Sequence, residues 1–247
     1  MSTPATADPW RELRSSTQAR IGLGRAGVGL PTSAVLELTS SLAWARDAVH
    51  VPLDPEVLLP GLRELGLGDP VLVESRAPER STYLRRPDLG RLPASLDAVP
   101  SGEWQVGLVI ADGLSSKAVV EHAAAQASAL VAALEGLTIA PPVVVTQARV
   151  AIGDWIGRRL GVDTVLVLIG ERPGLSVADS LGIYLTHDPR PGRTDAERNC
   201  ISNVHPPEGL GYEVAAATAA RLVRGARTLG RSGVDLKDTS SPPEVAS

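Results

Sequence analysis

Three stretches decide the fold: Gln105–Ala111 (QVGLVIA), Pro142–Thr146 (PVVVT) and Thr164–Ile169 (TVLVLI). Each is strand-length, rich in β-branched residues and free of polar alternation, which means strands covered on both faces. Helical stretches lie between them. Ser115–Glu135 is Ala-rich, opens on serines able to cap it and stops at Gly136. Ile152–Leu160 is short and ends at Gly161. Two further apolar runs follow, Leu181–Thr186 (LGIYLT) and Cys200–Val204 (CISNV), then a final Ala-rich helix over Glu213–Leu229. Strands alternating with helices predict an α/β, Rossmann-like or flavodoxin-like, doubly wound parallel sheet with right-handed crossovers.

The pattern changes near Pro100. Upstream, the chain is helical in pieces, so the fold carries an N-terminal, mostly helical extension. Thr32–Ala48 reads as a helix after Pro31, with Leu36, Leu38, Leu42 and Ala45 on a broad apolar face. Pro52, Pro55, Pro60 and Pro70 forbid a long element after it. Val71–Glu74 is a short strand candidate, and the Arg-rich Tyr83–Arg91 reads as a polar surface segment. The expected division is 1–100, an N-terminal helical and loop region; 101–238, a Rossmann-like domain; and 239–247, a Ser/Pro-rich flexible tail.

Composition narrows the function. The 247 residues suffice for a core without staples. Phe is absent and aromatics are 3%, so Ala, Val, Leu and Ile must build that core. A net charge of -4 argues against a nucleic-acid binder. No apolar run approaches the ~18 residues of a membrane span, and the N-terminus lacks a secretory pattern. One cysteine, Cys200, excludes an intrachain disulfide and suggests a reducing compartment, the cytoplasm.

In an open α/β sheet a ligand sits beyond the carboxyl ends of the strands. That rule selects Asp112–Ser115, Gln147–Val150, Gly170–Gly174, His187–Pro189 and the segment Asn199–Asn203. Glycines and hydrogen-bonding groups there suit a large polar ligand. Each also has a plainer reading: Asp112-Gly113 is an ordinary turn, Glu171-Arg172 a charged strand end, His187-Asp188 a loop pair, and Cys200 a small buried hydrophobe. Two motifs mislead. Gly22–Gly27 matches G-x-G-x-x-G, but no strand precedes it and Pro31 interrupts just after it, so it reads as a flexible Gly/Arg arm that packs on a partner. Cys200 with His205 suggests a thiol nucleophile and base, but their spacing guarantees no geometry. The four histidines are scattered, without zinc spacing.

The strings ARIGLGRAGVGLPT, YLRRPDLGR, ADGLS, GERPGLSVADSLGIYLTHDPRPGRTDAERNCISNVHPPEGL and SGVDLKD resemble the small-subunit (light-chain) family of adenosylcobalamin-dependent ethanolamine ammonia-lyases. The resemblance runs from about Leu13 to Asp238. It implies a carbon–nitrogen lyase (EC 4.3.1.7) that converts ethanolamine to acetaldehyde and ammonia by radical chemistry. It also implies a Rossmann-like small subunit, a barrel-shaped large subunit, a multi-copy hetero-oligomer, and adenosylcobalamin lying between the subunits. By motif, the cofactor contacts carry over to Val150 of ARVAIGDWIG, Glu171 of GERPGL and Cys200 of ERNCISN. No catalytic residue is assigned to this chain, since substrate and acid–base groups are expected on the large subunit. The string D-x-H-x-x-G is absent, so the cofactor's own benzimidazole is expected to stay on cobalt. Relatives in bacterial microcompartments carry a longer N-terminal extension, and the short one here favours free cytosol. The competing reading from fold alone is a stand-alone flavodoxin-like module for a nucleotide or flavin.

Overall fold

The computed structural model describes Asp8 and residues 10–238; the expected tail over 239–247 lies outside the described residues. A single six-stranded sheet runs through the molecule in the order β1-β3-β2-β4-β5-β6. The strands are β1 (Val71–Glu74), β2 (Val106–Ala111), β3 (Val143–Thr146), β4 (Thr164–Gly170), β5 (Leu181–His187) and β6 (Asn199–Val204). All six had been located by the apolar runs, to within a residue or two.

The strand directions correct the expectation. β1, β3, β2 and β4 are mutually parallel, but β5 is antiparallel to both β4 and β6. The sheet is therefore mixed, not parallel throughout. Only residues 171–180 join β4 to β5, too few for the helical crossover that a parallel neighbour needs. The first hundred residues also contribute a strand: β1 forms one edge of this sheet, beside β3.

Seven helices accompany the sheet among the described residues: α1 (Arg11–Ser15), α2 (Thr32–His50), α3 (Leu59–Arg63), α4 (Arg80–Arg85), α5 (Ser116–Ala133), α6 (Ile152–Leu160) and α7 (Tyr212–Leu229). β2 and β4 are buried along their whole length, as their unbroken apolar runs require. Alternate residues serve opposite faces. Leu108, Ile110, Leu166, Leu168 and Ile183 meet α5 and α7; Val109, Ala111, Val165, Val167 and Ile169 meet Ile152, Ile156 and Leu160 of α6. The absence of Phe is met by small side chains. Ala123 and Ala127 of α5 and Ala215, Ala216, Ala219, Ala220 and Ala226 of α7 fill the first layer, which lets helix backbones lie close to the strands.

α2 forms where expected, but only Leu38 and Ala45 of its expected apolar face turn inward. The inner stripe is Ala34, Leu38, Ser41, Ala45 and Ala48, spaced by four and three residues, while Leu36 and Leu42 point outward. The neighbouring arm keeps no dinucleotide fingerprint: Gly22, Gly24 and Gly27 all have positive φ in a loop, with neither a strand before it nor a helix inside it. Its Arg20 reaches Glu37 and Ser41 on α2 and the Leu175 carbonyl, so the arm packs on its own chain.

Candidate cofactor site at the sheet edge

The carboxyl ends of β2, β3 and β4 open into one cavity of about 400 Å³. Gly113 and Leu114 come from the loop after β2, Arg149 and Val150 from the loop after β3, and Ile169, Gly170, Glu171 and Arg172 from the end of β4. Tyr184 of β5 closes one side. Three of the five segments chosen from sequence thus converge. Their closeness depends on glycine: the Leu114 N–H donates to the Gly170 carbonyl at 2.9 Å, and Gly113 holds φ +54° with no room for a β-carbon against that carbonyl.

The other two segments fall differently. His187-Asp188-Pro189 is at the opposite edge, because β5 runs the other way: His187 pairs with Thr164 at the start of β4, and its Nδ1 lies 2.8 Å from Thr164 Oγ1. Burial pushes the His187 pKa down. Asn199–Asn203 is strand for its whole length, and only its far end nears the cavity, where the Asn203 N–H donates to Glu171 at 3.2 Å.

The structure brings Val150 and Glu171 together as walls of the cavity. One Glu171 oxygen accepts from Ser180 Oγ (2.7 Å) and Asn203 N–H. The other, Oε1, lies beside Gly182. Cys200 is not a wall residue. It pairs with Tyr184 across β5 and β6 and is exposed, so it stands behind Tyr184 on the same sheet face. Partial desolvation by its neighbours raises the pKa of this exposed thiol, partly offset by a hydrogen bond with Tyr184. His205 Nε2 is held by Asn203 Oδ1 at 2.8 Å. Among the described residues no hydrogen bond joins Cys200 to His205, so the structure does not assemble the pair as a catalytic dyad.

Sequence reasoning missed the layer behind the cavity. Asp112 is fully buried; its Oδ2 accepts the Gln147 N–H (2.9 Å) and Arg80 Nη1 (2.9 Å), and its Oδ1 accepts the Ala148 N–H (2.8 Å). Burial pushes the Asp112 pKa up, and Arg80 and the two N–H groups work against it. The guanidiniums of Arg80 and Arg149 lie over the Tyr83 ring, 5.0 and 4.7 Å from its centroid. The buried Nε of Arg149 has no hydrogen-bond acceptor among the described residues. The same holds for the N–H groups of Val150 and Ala151 at the uncapped start of α6. This wall therefore offers a guanidinium cation at Arg149, an unpaired N–H at Val150, an acceptor at Glu171, and apolar surface at Leu114, Ile169 and Tyr184.

No group of three or more metal-ligating side chains occurs among the described residues. No histidine lines the cavity. No helix among the described residues is long and apolar enough to cross a membrane.

Comparison with known proteins gives a consistent result. The family model for ethanolamine ammonia-lyase light chain (EutC) matches residues 7–237. The chain is 62% identical over 241 residues to the ethanolamine ammonia-lyase small subunit of Rhodococcus erythropolis, covering 97% of this chain and 94% of that one. It is 50% identical to the small subunit of Azotobacter vinelandii, covering 96% and 90%. It is 48% identical to that of Ralstonia nicotianae, covering 98% and 93%.

Proposed function

Because this chain belongs to the ethanolamine ammonia-lyase light-chain family, we propose that it is the small subunit of an adenosylcobalamin-dependent enzyme converting ethanolamine to acetaldehyde and ammonia. The observation that carries this reading is the cavity at the sheet edge, where Val150 and Glu171 meet. Pockets that bury a drug-sized ligand run to about 300–1,000 Å³. A corrin with its nucleotide tail is far larger than such a ligand, so this open cavity of about 400 Å³ is one wall of a site. The large subunit supplies the other.

The residues fit the group. The Glu171 carboxylate would accept from the amide groups of a corrin rim, and the unpaired Val150 N–H would donate to them. Cys200 and Tyr184 form a flank of the same face, with the thiol as a packing and weak hydrogen-bonding group. When bound, adenosylcobalamin would supply the radical chemistry. This chain's own residues bind and orient the cofactor and shield one side of it from water; the acid–base groups belong to the large subunit. The Rossmann-like reading of residues 101–238 is supported by the parallel group β3-β2-β4 with helices on both faces.

The first hundred residues form the docking region for the large subunit in this reading. The support is the outward face of α2, where Val35, Leu36, Leu42 and Trp44 are exposed, Trp44 by 68%. Several copies of each subunit build the complex. Its place is the cytoplasm, in keeping with a lone exposed thiol.

The test is reconstitution. This chain alone shows no lyase activity, and the purified complex with the large subunit shows activity and a cobalamin absorbance spectrum. Full turnover by the large subunit alone, or flavin affinity by this chain without cobalamin affinity in the complex, overturns the reading.

A further inference from the structure

The Arg-rich segment that reads as surface in the sequence carries two buried residues, Arg80 just ahead of it and Tyr83 at its start, exposed by 6% and 0%. Tyr83 is directed at the backbone of the loop that presents Val150, and Arg80 at the Asp112 carboxylate that holds that loop. The Tyr83 hydroxyl donates to the Ala148 carbonyl at 2.9 Å. Ser75 Oγ donates to the Gln147 carbonyl at 2.7 Å. The Arg149 N–H donates to the Gly90 carbonyl at 2.8 Å. Asp112 takes the N–H groups of Gln147 and Ala148, and Arg80 ties that carboxylate to the Val49 carbonyl at the end of α2. Every backbone polar group from Gln147 N to Arg149 N is thus held from outside the loop. Pairing stops at Val150 and Ala151, whose N–H groups have no acceptor among the described residues.

This arrangement is more than packing. Gln147 holds φ +54°, a left-handed conformation that a non-glycine residue adopts only when its surroundings impose it. The held groups bond to surrounding segments, and Val150, with its unpaired N–H, borders the cavity. A loop free to relax would turn the Val150 N–H toward a carbonyl of its own or toward water, and a ligand would first have to undo that.

We propose that Arg80, Tyr83 and Asp112 are positioning residues that pre-set the loop 147–151, so that the unpaired Val150 N–H and the Arg149 guanidinium cation are held for the cofactor. The proposal rests on the cobalamin reading of the cavity and assigns a task to residues which that reading leaves unexplained. None of the three touches the cofactor; they lower its binding cost by holding the loop in its bound shape.

The test uses the reconstituted complex with the large subunit. Cyanocobalamin is titrated in and followed by absorbance, and amide hydrogen exchange of residues 147–151 is measured before the titration. Tyr83→Phe keeps the ring beneath both guanidiniums and removes only the bond to the Ala148 carbonyl. It should raise the apparent Kd about fivefold, speed exchange in the loop, and leave kcat at saturating adenosylcobalamin unchanged. Asp112→Asn should act in the same direction and more strongly. Leu130→Ala, in the core on the opposite face of the sheet, should lower stability without changing the Kd. Tyr83→Phe with unchanged Kd and unchanged loop exchange overturns the proposal. So does a Leu130→Ala complex whose Kd rises as much, because affinity would then follow stability alone. A wild-type complex that binds no cyanocobalamin overturns the cobalamin reading itself, an outcome distinct from the other two.

Discussion

Glu171 accepts the backbone N–H of Asn203 at 3.2 Å, which joins the end of β4 to the end of β6 across the tip of β5. The same oxygen accepts from Ser180 Oγ. The carboxylate therefore has a fixed rotamer, with Oε1 left for a ligand.

Replacing Glu171 should separate these two duties. Glu171→Gln keeps an acceptor for Asn203 and loses the charge that strengthens hydrogen bonds to a corrin amide. We expect a weaker apparent cofactor Kd by about 1 kcal/mol, roughly fivefold, with little change in melting temperature. Glu171→Ala should lose the same affinity and some stability as well. Unchanged affinity in both variants would remove Glu171 from the cofactor site.

Cys200 is expected to be dispensable for chemistry. Its thiol pKa is raised by partial desolvation, above an ordinary thiol value of about 8.5. Alkylation of the free subunit by iodoacetamide should accelerate only in alkaline buffer, and Cys200→Ser should retain most activity. Half-maximal alkylation below pH 7 would show a thiolate that the Tyr184 environment does not explain.

The ends of the sheet show what could and could not be read from sequence. β2 and β4 were legible because a strand buried on both faces must be apolar at every position. The direction of β5 was not, since LGIYLT reads the same in either orientation. The signal lay in the connection: residues 171–180 contain Pro173 and Gly174 and leave no space for a crossover helix. The antiparallel turn then moved His187 to the far edge, while Cys200 lies near the start of β6, away from its carboxyl end. Val150 and Glu171 kept their places because β3 and β4 run as expected. The Arg80–Asp112 pair was illegible for another reason. A lone Arg in a polar stretch has no periodicity, and only the fold shows that it is 6% exposed.

Arg198 and Asp154 form a two-pronged ion pair with both bonds at 2.7 Å and both side chains 2% exposed. Arg198 also donates to Thr186 Oγ1 and the Arg193 carbonyl, tying β5 and β6 to α6. Arg198→Met strands a buried carboxylate and should cost about 3–5 kcal/mol in urea unfolding of the free subunit. Asp154→Leu added to it should recover a large part, since the uncompensated charge is gone. A double variant no more stable than the single one would mean that packing of Arg198, not charge pairing, holds this corner.

Stability should decline on mild acidification. Burial lowers the pKa of both His122 and His187 below 6.5. Below pH 6.5 the unfolded chain takes up protons that the folded chain refuses, so stability is full above that pH and is lost as pH falls through the folded values. Thermal melts between pH 8 and pH 5 should show this slope, and His187→Gln should flatten part of it. A melting temperature that rises on acidification from pH 7 to pH 6 would contradict the sign.

The narrowest point of the structure is where Gly170 meets the loop after β2. A β-carbon on Gly170 would overlap the Ser115 carbonyl oxygen and stand 2.7 Å from that of Asp112. Both are backbone atoms of segments that cannot retreat: Ser115 caps α5 by accepting the Ala118 N–H, and Asp112 is held by Arg80 and the 147–148 amides. Gly170→Ala should therefore destabilise the subunit by about 3 kcal/mol and weaken cyanocobalamin binding by the complex, because the strain falls on the cavity wall itself. Gly211→Ala is the matched control, since a β-carbon there meets nothing within 4 Å, and its effect should stay within about 0.5 kcal/mol. Equal melting temperatures for the two variants would show that the β2 loop can yield at Gly170, and that the close approach of β2 and β4 is not what shapes the site.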